Sequence, residues 1–338
     1  MRIELIAFTE AGCALGRQLA QALEKEGDVA GFTPCRGQGH ISLADWTALA
    51  FREADALVFI GAAGIAVRSI APFVADKTRD PAVLVGDESG RYLIPLLSGH
   101  LGGANELARR LASLYGANPI LTTATDLRGL WAVDSWAKAN SCALLNPGRI
   151  KTVSSRILEG GQVRLFSDWP IGGEVPAGVS LTEDRLQADV ILSLHPGPWT
   201  LSSPLLLVPR IGVLGVGCRR GVSAGALNDA LTEFLAGQGL SRRCLCGLAS
   251  IRLKEDEAGL AEFAQALGLL LDFFDPDTLA ALPGPFTGSE FVQSVTGVDN
   301  VCERSALAAS EGGRLLVPKT RFEGITLALA LRPFAPLF

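Results

Sequence analysis

Residues 56–68, Ala56-Leu57-Val58-Phe59-Ile60-Gly61-Ala62-Ala63-Gly64-Ile65-Ala66-Val67-Arg68, decide the fold class. Five consecutive apolar residues read as a buried strand, and the glycine turn after them permits close strand-to-helix packing. Upstream, residues 2–8 are β-like and lead through Gly12 into Leu15, Leu19 and Leu23, a helical stripe ending in Gly27 at a C-cap position. Downstream, residues 82–85 and 92–97 are further strand runs, and Leu107, Ala108, Leu111 and Leu114 mark a helix closed by Gly116. Strands alternating with helices argue for a parallel sheet covered by helices. From about Leu121 the pattern loosens, with glycine pairs at 160–161 and 172–173. Residues 195–209, rich in proline, read as a stiff linker, after which residues 211–216 begin a new strand and Leu227, Leu231 and Phe234 a new helix. The expectation is a multi-domain α/β protein. N- and C-terminal α/β/α layers with largely parallel sheets (1–125 and 209–338) would flank a small mixed middle domain with its linker (126–208).

The length of 338 residues leaves ample room for such cores. Charged residues are only 19% of the chain, which argues against disorder. The longest uncharged apolar stretch, 56–67, is too short to span a bilayer, which needs about 20 residues. The start of the chain carries Glu4 inside its apolar run and does not read as a signal peptide, so the expected location is the cytoplasm. Seven cysteines without framework spacing suit reduced thiols, and three histidines spread far apart argue against a structural zinc site; no metal ligands are assigned.

A net charge of −5 excludes general nucleic-acid binding. Its distribution is uneven: residues 210–254 hold seven bases against Asp229 and Glu233, a local +5 that leaves −10 elsewhere. An anionic small molecule fits that segment, and so does a solvated basic face.

Four constellations could carry chemistry. Ser98-Gly99-His100-Leu101-Gly102-Gly103-Ala104-Asn105 lies between a strand and a helix start, where free N–H groups favour a carboxylate, although a tight βα turn would look the same. Gly61 to Arg68 has GxxG spacing, not the GxGxxG of a dinucleotide turn, so a nicotinamide cofactor is not expected. Gly221-Val222-Ser223-Ala224-Gly225 matches a nucleophile elbow, yet every histidine precedes it, and Ser223 reads as a helix N-cap. The neighbouring residues 215–221 remain an anion candidate in which Arg219 and Arg220 could grip carboxylates by forked hydrogen bonds. The last constellation pairs residues 254–257 with residues 300–305. There Glu303 could be a general base or an ion-pair partner of Arg304, and Cys302 could be a nucleophile only with a base that the sequence does not identify.

Together these segments resemble the CbiG family of anaerobic cobalamin biosynthesis. The resemblance rests on Asp76-Lys77-x-x-Asp80-Pro81, Asp87 and Pro95-Leu96-Leu97-Ser98-Gly99-His100-x-Gly102-Gly103-Ala104-Asn105 in the first part. Thr122-Thr123-Ala124-Thr125-Asp126 with Asp134 carries it through the middle, and Gly215-x-Gly217-Cys218-Arg219-Arg220-Gly221, Lys254-x-Asp256-Glu257, Gly297-Val298 and Lys319 at the end. Cys302 and Arg304 stand where smaller residues are expected.

The resemblance implies a cobalt-precorrin-5A hydrolase, which opens the δ-lactone of a ring-contracted cobalt corrinoid and releases acetaldehyde to give cobalt-precorrin-5B. It implies no organic cofactor, the cobalt arriving with the substrate. The expected partners are that polyanionic corrinoid and, transiently, other cobalamin-pathway enzymes, with neither nucleic acid nor membrane. The candidate catalytic residues are His100 and Glu303. The candidate substrate contacts are Gly64, Arg68, Ser98, Gly99, Gly102, Gly103 and Asn105 in the first part and Gly217, Arg219, Arg220, Lys254 and Lys319 in the last. A non-catalytic corrinoid carrier would use the same anion sites without a base.

Overall fold

The computed structural model describes residues 1–35, 41–76, 79–99, 102–122, 129–197 and 203–338, and the chain folds as two units, Met1–Ser135 and Trp136–Phe338. In the first unit β1 (Arg2–Ala7), α1 (Glu10–Lys25), β2 (Val29–Pro34), α2 (Leu43–Glu53) and β3 (Ala56–Ile60) are followed by α3 (Ala63–Ile70), β4 (Ala82–Gly86), β5 (Tyr92–Leu97), α4 (Ala104–Tyr115) and β6 (Asn118–Pro119). Their six-stranded sheet has the order β2-β1-β3-β4-β5-β6, antiparallel at β4–β5 and parallel elsewhere.

Successive strand side chains point to opposite faces. Leu5, Val58 and Leu84 therefore meet Leu19 and Leu23 of α1 and Leu107 and Leu111 of α4, while Leu57, Phe59 and Val83 meet Trp46 of α2 and Ile70 of α3. With both faces covered, β3 is buried at all five positions, which is why its sequence is continuously apolar. The helix ends follow the sequence signals. Thr9 Oγ1 accepts the Gly12 N–H at 3.0 Å to start α1, and Gly27 at φ 91° follows its C-cap Glu26. Gly116, left-handed at φ 77°, closes α4.

The border between the units falls inside α5 (Val133–Ala139). The second sheet contains β7 (Cys142–Leu144), β8 (Val163–Ser167), β9 (Val179–Leu181), β10 (Val190–Leu192) and β11 (Leu205–Pro209), with α6 (Ile150–Leu158) between β7 and β8. Its order is β7-β11-β10-β8-β9, with only β7–β11 antiparallel. The third sheet is formed by β12 (Gly212–Cys218), β13 (Leu245–Ile251), β14 (Leu271–Phe274), β15 (Arg314–Phe322) and β16 (Ile325–Leu331) in the order β14-β13-β12-β16-β15. Here β12–β13 and β13–β14 are parallel, whereas β12–β16 and β15–β16 are antiparallel. Helices α7 (Ala224–Gly237) and α8 (Ala258–Leu267) cover one face through Leu227, Leu231 and Phe263. Between β14 and β15 come α9 (Pro276–Ala280), α10 (Glu290–Thr296) and α11 (Cys302–Ala308). A Cβ on Gly215 would lie 1.8 Å from the Cys302 carbonyl oxygen, so α11 reaches the other face only because β12 carries glycine there.

Two details differ from the sequence reading. Residues 205–209, expected in a linker, form β11, with every residue buried and paired to β10 and β7. Pro204 and Pro209 bracket this short apolar run, positions at which a strand tolerates proline. The mixed character expected of the middle segment rests on one pairing, and the third sheet is the more mixed. Ser223 is the N-cap of α7, its Oγ accepting the Ala226 N–H at 3.2 Å.

Beyond β16 the chain returns to residues flanking the second sheet. The Leu337 carbonyl accepts from Trp136 Nε1 at 2.7 Å and Asn140 Nδ2 at 3.0 Å, and the Leu337 N–H donates to Asn140 Oδ1 at 2.8 Å. The Phe338 N–H reaches the Gly172 carbonyl at 3.0 Å, and the Phe338 ring packs on Trp136. Among the described residues no helix is long and apolar enough to cross a membrane. All seven cysteines are free thiols.

Candidate functional site

In the second unit the carboxyl ends of β12 and β13 reach the same edge of the third sheet, because those strands are parallel. The tip of the antiparallel β15–β16 hairpin lies there too, since Cys218 pairs with Ile325. Such an edge is where α/β sheets receive ligands. Around it opens a cavity of about 700 Å³. Five cations line it: Arg219 and Arg220 after β12, Lys254 after β13, and Lys319 and Arg321 on β15. Leu253, Phe322 and α10, through Phe291 and Val295, supply an apolar wall. Phe291 is 76% and Val295 63% exposed, large apolar surface presented to solvent beside a charged rim.

Glycines clear the space for the rim. A Cβ on Gly217 would stand 2.5 Å from Thr326 Oγ1, and one on Gly324, at φ 70°, only 2.6 Å from Arg219 Nε. The Arg219 guanidinium thus lies on bare backbone, and the Arg219 backbone N–H donates to the Gly324 carbonyl at 2.8 Å. Among the described residues Arg219, Arg220 and Arg321 have no ion pair, whereas Lys254 Nζ meets Glu257 Oε1 at 3.1 Å. Glu257 Oε2 accepts the Gly221 N–H at 2.9 Å. That N–H, assisted by Lys254 and Arg220, holds the Glu257 carboxyl below its ordinary range. Burial pushes the Cys218 thiol up, with Lys254 opposing.

The candidates of the first unit do not form one site. Gly61 donates to the Gly86 carbonyl at 2.8 Å, at the carboxyl ends of β3 and β4, and the exposed Gly64 and Arg68 follow on α3. Ser98 lies at the opposite edge, because β5 runs antiparallel and Leu97 pairs with Val83. A five-residue strand separates the two edges by about 15 Å. Around Ser98 the turn closes on itself: the Ala104 and Asn105 N–H groups donate to the Ser98 and Gly99 carbonyls at 3.1 and 3.0 Å. A Cβ on Gly102 would sit 2.2 Å from Ser98 Cβ, one on Gly99 would lie 2.9 Å from Asn105 Oδ1, and Gly103 caps α4 at φ 88°. His100 lies outside the described residues.

Comparison with known proteins bears on all three sheets. Family models described as Cobalamin synthesis G N-terminal, Cobalamin biosynthesis central region and Cobalamin synthesis G C-terminus match residues 45–126, 131–192 and 212–330. A protein named cobalt-precorrin-5A hydrolase from Salmonella typhimurium is 35% identical, over 97% of this chain and 97% of its own. The chain belongs to the CbiG family. A second member of that name, from Priestia megaterium, is 30% identical over 84% of this chain and 80% of its own. The solved structure of CobE, a protein from the cobalamin (vitamin B12) biosynthetic pathway, aligns with 37% of this chain and 93% of its own at 36% identity and a TM-score of 0.35.

Within this CbiG-family chain the cavity is lined entirely by residues of the C-terminal match, and Gly217, Arg219, Arg220, Lys254 and Lys319 all meet in it. Glu303 does not line it. The residue is 1% exposed, and its carboxylate accepts from the Lys319 N–H at 2.6 Å, the Thr287 N–H at 2.7 Å and Asn300 Nδ2 at 2.8 Å. Arg304 pairs with Asp299 at 2.7 Å and lies over the Phe286 ring at 4.2 Å. Burial raises the Cys302 thiol to about 11, which suits packing against Gly215 and opposes a nucleophilic role. Sequence reasoning missed Arg321, Phe291, Val295 and Leu253. Among these Phe291 and Val295 carried a usable signal, two bulky apolar residues one helical turn apart on a helix whose face is not otherwise buried.

Proposed function

We propose that the chain is a cobalt-precorrin-5A hydrolase. It opens the δ-lactone of the ring-contracted cobalt corrinoid and releases the extruded two-carbon unit as acetaldehyde, giving cobalt-precorrin-5B. The observation that carries this reading is the cavity, in which five cations face an apolar wall. A corrinoid intermediate is a flat apolar macrocycle ringed by acetate and propionate arms, and guanidinium forks match carboxylates in geometry as well as charge. Two relatives of that name, at 35% and 30% identity, support the same reading.

In the proposed reaction water adds to the lactone carbonyl and the ring C–O bond breaks, leaving a carboxylate and a hydroxyl. The hydroxyl then loses its proton, the neighbouring C–C bond cleaves, and acetaldehyde departs while the electron pair passes into the conjugated macrocycle. Because the substrate accepts these electrons and brings its own cobalt, the protein needs no organic cofactor. Arg219, Arg220 and Lys254 hold the arms and stabilise the carboxylate formed on opening, a charge that grows along the reaction. His100 is the first candidate for base or acid, since imidazole titrates near neutral pH. Gly64, Arg68, Ser98, Gly99, Gly102, Gly103 and Asn105 remain candidate contacts. Seven free thiols suit the reducing cytoplasm, where transient contacts with other cobalamin-pathway enzymes would pass the intermediate on.

The test is turnover of cobalt-precorrin-5A under anaerobic conditions with acetaldehyde trapped. Stoichiometric acetaldehyde is expected. A wild-type protein that binds the corrinoid and releases none is a carrier and ends the hydrolase reading, whereas a His100→Ala variant with unchanged kcat removes only His100 from the chemistry.

A further inference from the structure

The two walls of the cavity share one buried anchor. Opposite Ala328 the β15 strand carries an extra residue, for Val317 pairs with Leu329 and Thr320 with Leu327, so Pro318 and Lys319 together face a single position. Proline has no N–H to offer the ladder, and the bulge takes the Lys319 N–H out of it. That N–H goes to Glu303 Oε1 at 2.6 Å. The other oxygen, Oε2, accepts the Thr287 N–H at 2.7 Å and Asn300 Nδ2 at 2.8 Å. Asn300 Nδ2 also reaches the Thr287 carbonyl at 2.9 Å, and Asn300 Oδ1 accepts the Glu303 N–H at 2.8 Å, fixing the start of α11. Three residues after Thr287 begins α10, which carries Phe291 and Val295. One carboxylate therefore ties the cationic strand to the helix of the apolar wall.

We infer that Glu303 is a positioning residue for the corrinoid: it sets Lys319 and α10 at the separation at which one ligand can touch both. This rests on the cavity being the substrate site. A general base must offer a lone pair to the reacting proton, whereas both oxygens of the buried Glu303 already accept from backbone and amide donors. The bulge supplies the complementary half. Without the carboxylate the part-buried Lys319 N–H would lose its acceptor, which loosens the bulge that presents Lys319.

Calorimetric titration of the full chain with cobyrinic acid, a corrin polycarboxylate, tests this together with steady-state turnover of cobalt-precorrin-5A. In Glu303→Gln the amide must aim an N–H at a backbone N–H. We expect Kd and KM to rise about tenfold with kcat within about twofold, the pattern of a lost binding geometry. Lys319→Ala should do the same, and the double variant should fall short of full additivity, because part of what Glu303 does is to place Lys319. A kcat falling by a factor of about 10² or more at unchanged Kd would make Glu303 the base and overturn the inference. Full additivity would overturn it too. Should Glu303→Gln fail to fold, Asn300→Ala, which removes one donor, is expected to shift Kd in the same direction, and an unchanged Kd counts against the anchor. Hydrogen exchange gives a ligand-free arm, in which the Thr287 and Lys319 amides lose protection together in either variant. A wild type that neither binds nor turns over the corrinoid defeats the functional reading, while unchanged protection defeats the anchor alone.

Discussion

Glycines serve different ends around Ser98 and in the third sheet. In the turn, an added Cβ on Gly99 or Gly102 would strike Asn105 or Ser98, atoms of the same turn, so the missing side chains let the backbone fold back on itself. At Gly215 and Gly324 the Cβ would strike the Cys302 carbonyl of another element and the Arg219 side chain, so there they let α11 and a guanidinium approach the sheet. The first pattern is compatible with a turn that binds nothing. The second builds a surface, because at Gly324 the space cleared is occupied by a charged group facing a cavity. What a glycine motif does is decided by what it admits, and a count of glycines does not tell the two apart.

The contrast can be broken most directly at the arginines. Arg219→Ala removes a guanidinium from the cavity and is expected to lower kcat/KM about 10- to 100-fold, the scale of one charged hydrogen-bonding group. Arg68→Ala, at a candidate contact on an exposed helix in the first unit, should lower kcat/KM by less than about tenfold. Equal losses would place the substrate on both regions alike. A second comparison uses stability. Gly215→Ala drives its methyl into the Cys302 carbonyl and should cost about 1–3 kcal/mol or more, read as a lower melting temperature. At Gly64 the nearest atom to a new Cβ is Arg68 Nη1 at 3.7 Å, so Gly64→Ala should be neutral or stabilising by up to about 1 kcal/mol. The smallest effect concerns pH. The folded pKa of Glu257 lies below its unfolded value, so its contribution is complete above the ordinary value of 4.5 and fades as pH falls through the lower folded value. Melting curves of Glu257→Gln should lie slightly below wild type at pH 7 and converge with it only as pH falls through the lowered folded value, where the wild-type carboxyl also takes up a proton. A constant offset at every pH would remove the carboxylate from the Gly221 loop's stability.

Much of the fold was legible because its signals are local. Five apolar residues at β3, the Ser223 cap and the glycine after α4 each act within a few residues of themselves, and each element forms where its sequence says. The stretch 195–209 misled because proline density masked a five-residue run that needs two partner strands to become β11. The candidate cations were legible through composition and resemblance, and Gly217, Arg219, Arg220, Lys254 and Lys319 do converge. Their convergence with Phe291 and Val295 was not, since it depends on a hairpin tip, a bulge and a short helix meeting at one sheet edge. Glu303 shows the limit most clearly. A carboxylate beside an arginine reads as a base or an ion pair, and only the tertiary position of the Lys319 and Thr287 amides gives it a different partner set.

The hold of Trp136 and Asn140 on Leu337 has a mechanical meaning. It makes residues 140 to 336 a closed loop for tension, since the two ends of that span are fastened to each other. A molecule pulled from residues 136 and 338 would strain these hydrogen bonds and the Trp136–Phe338 stack first. The third sheet, with its cavity, would carry no load until that clasp had opened.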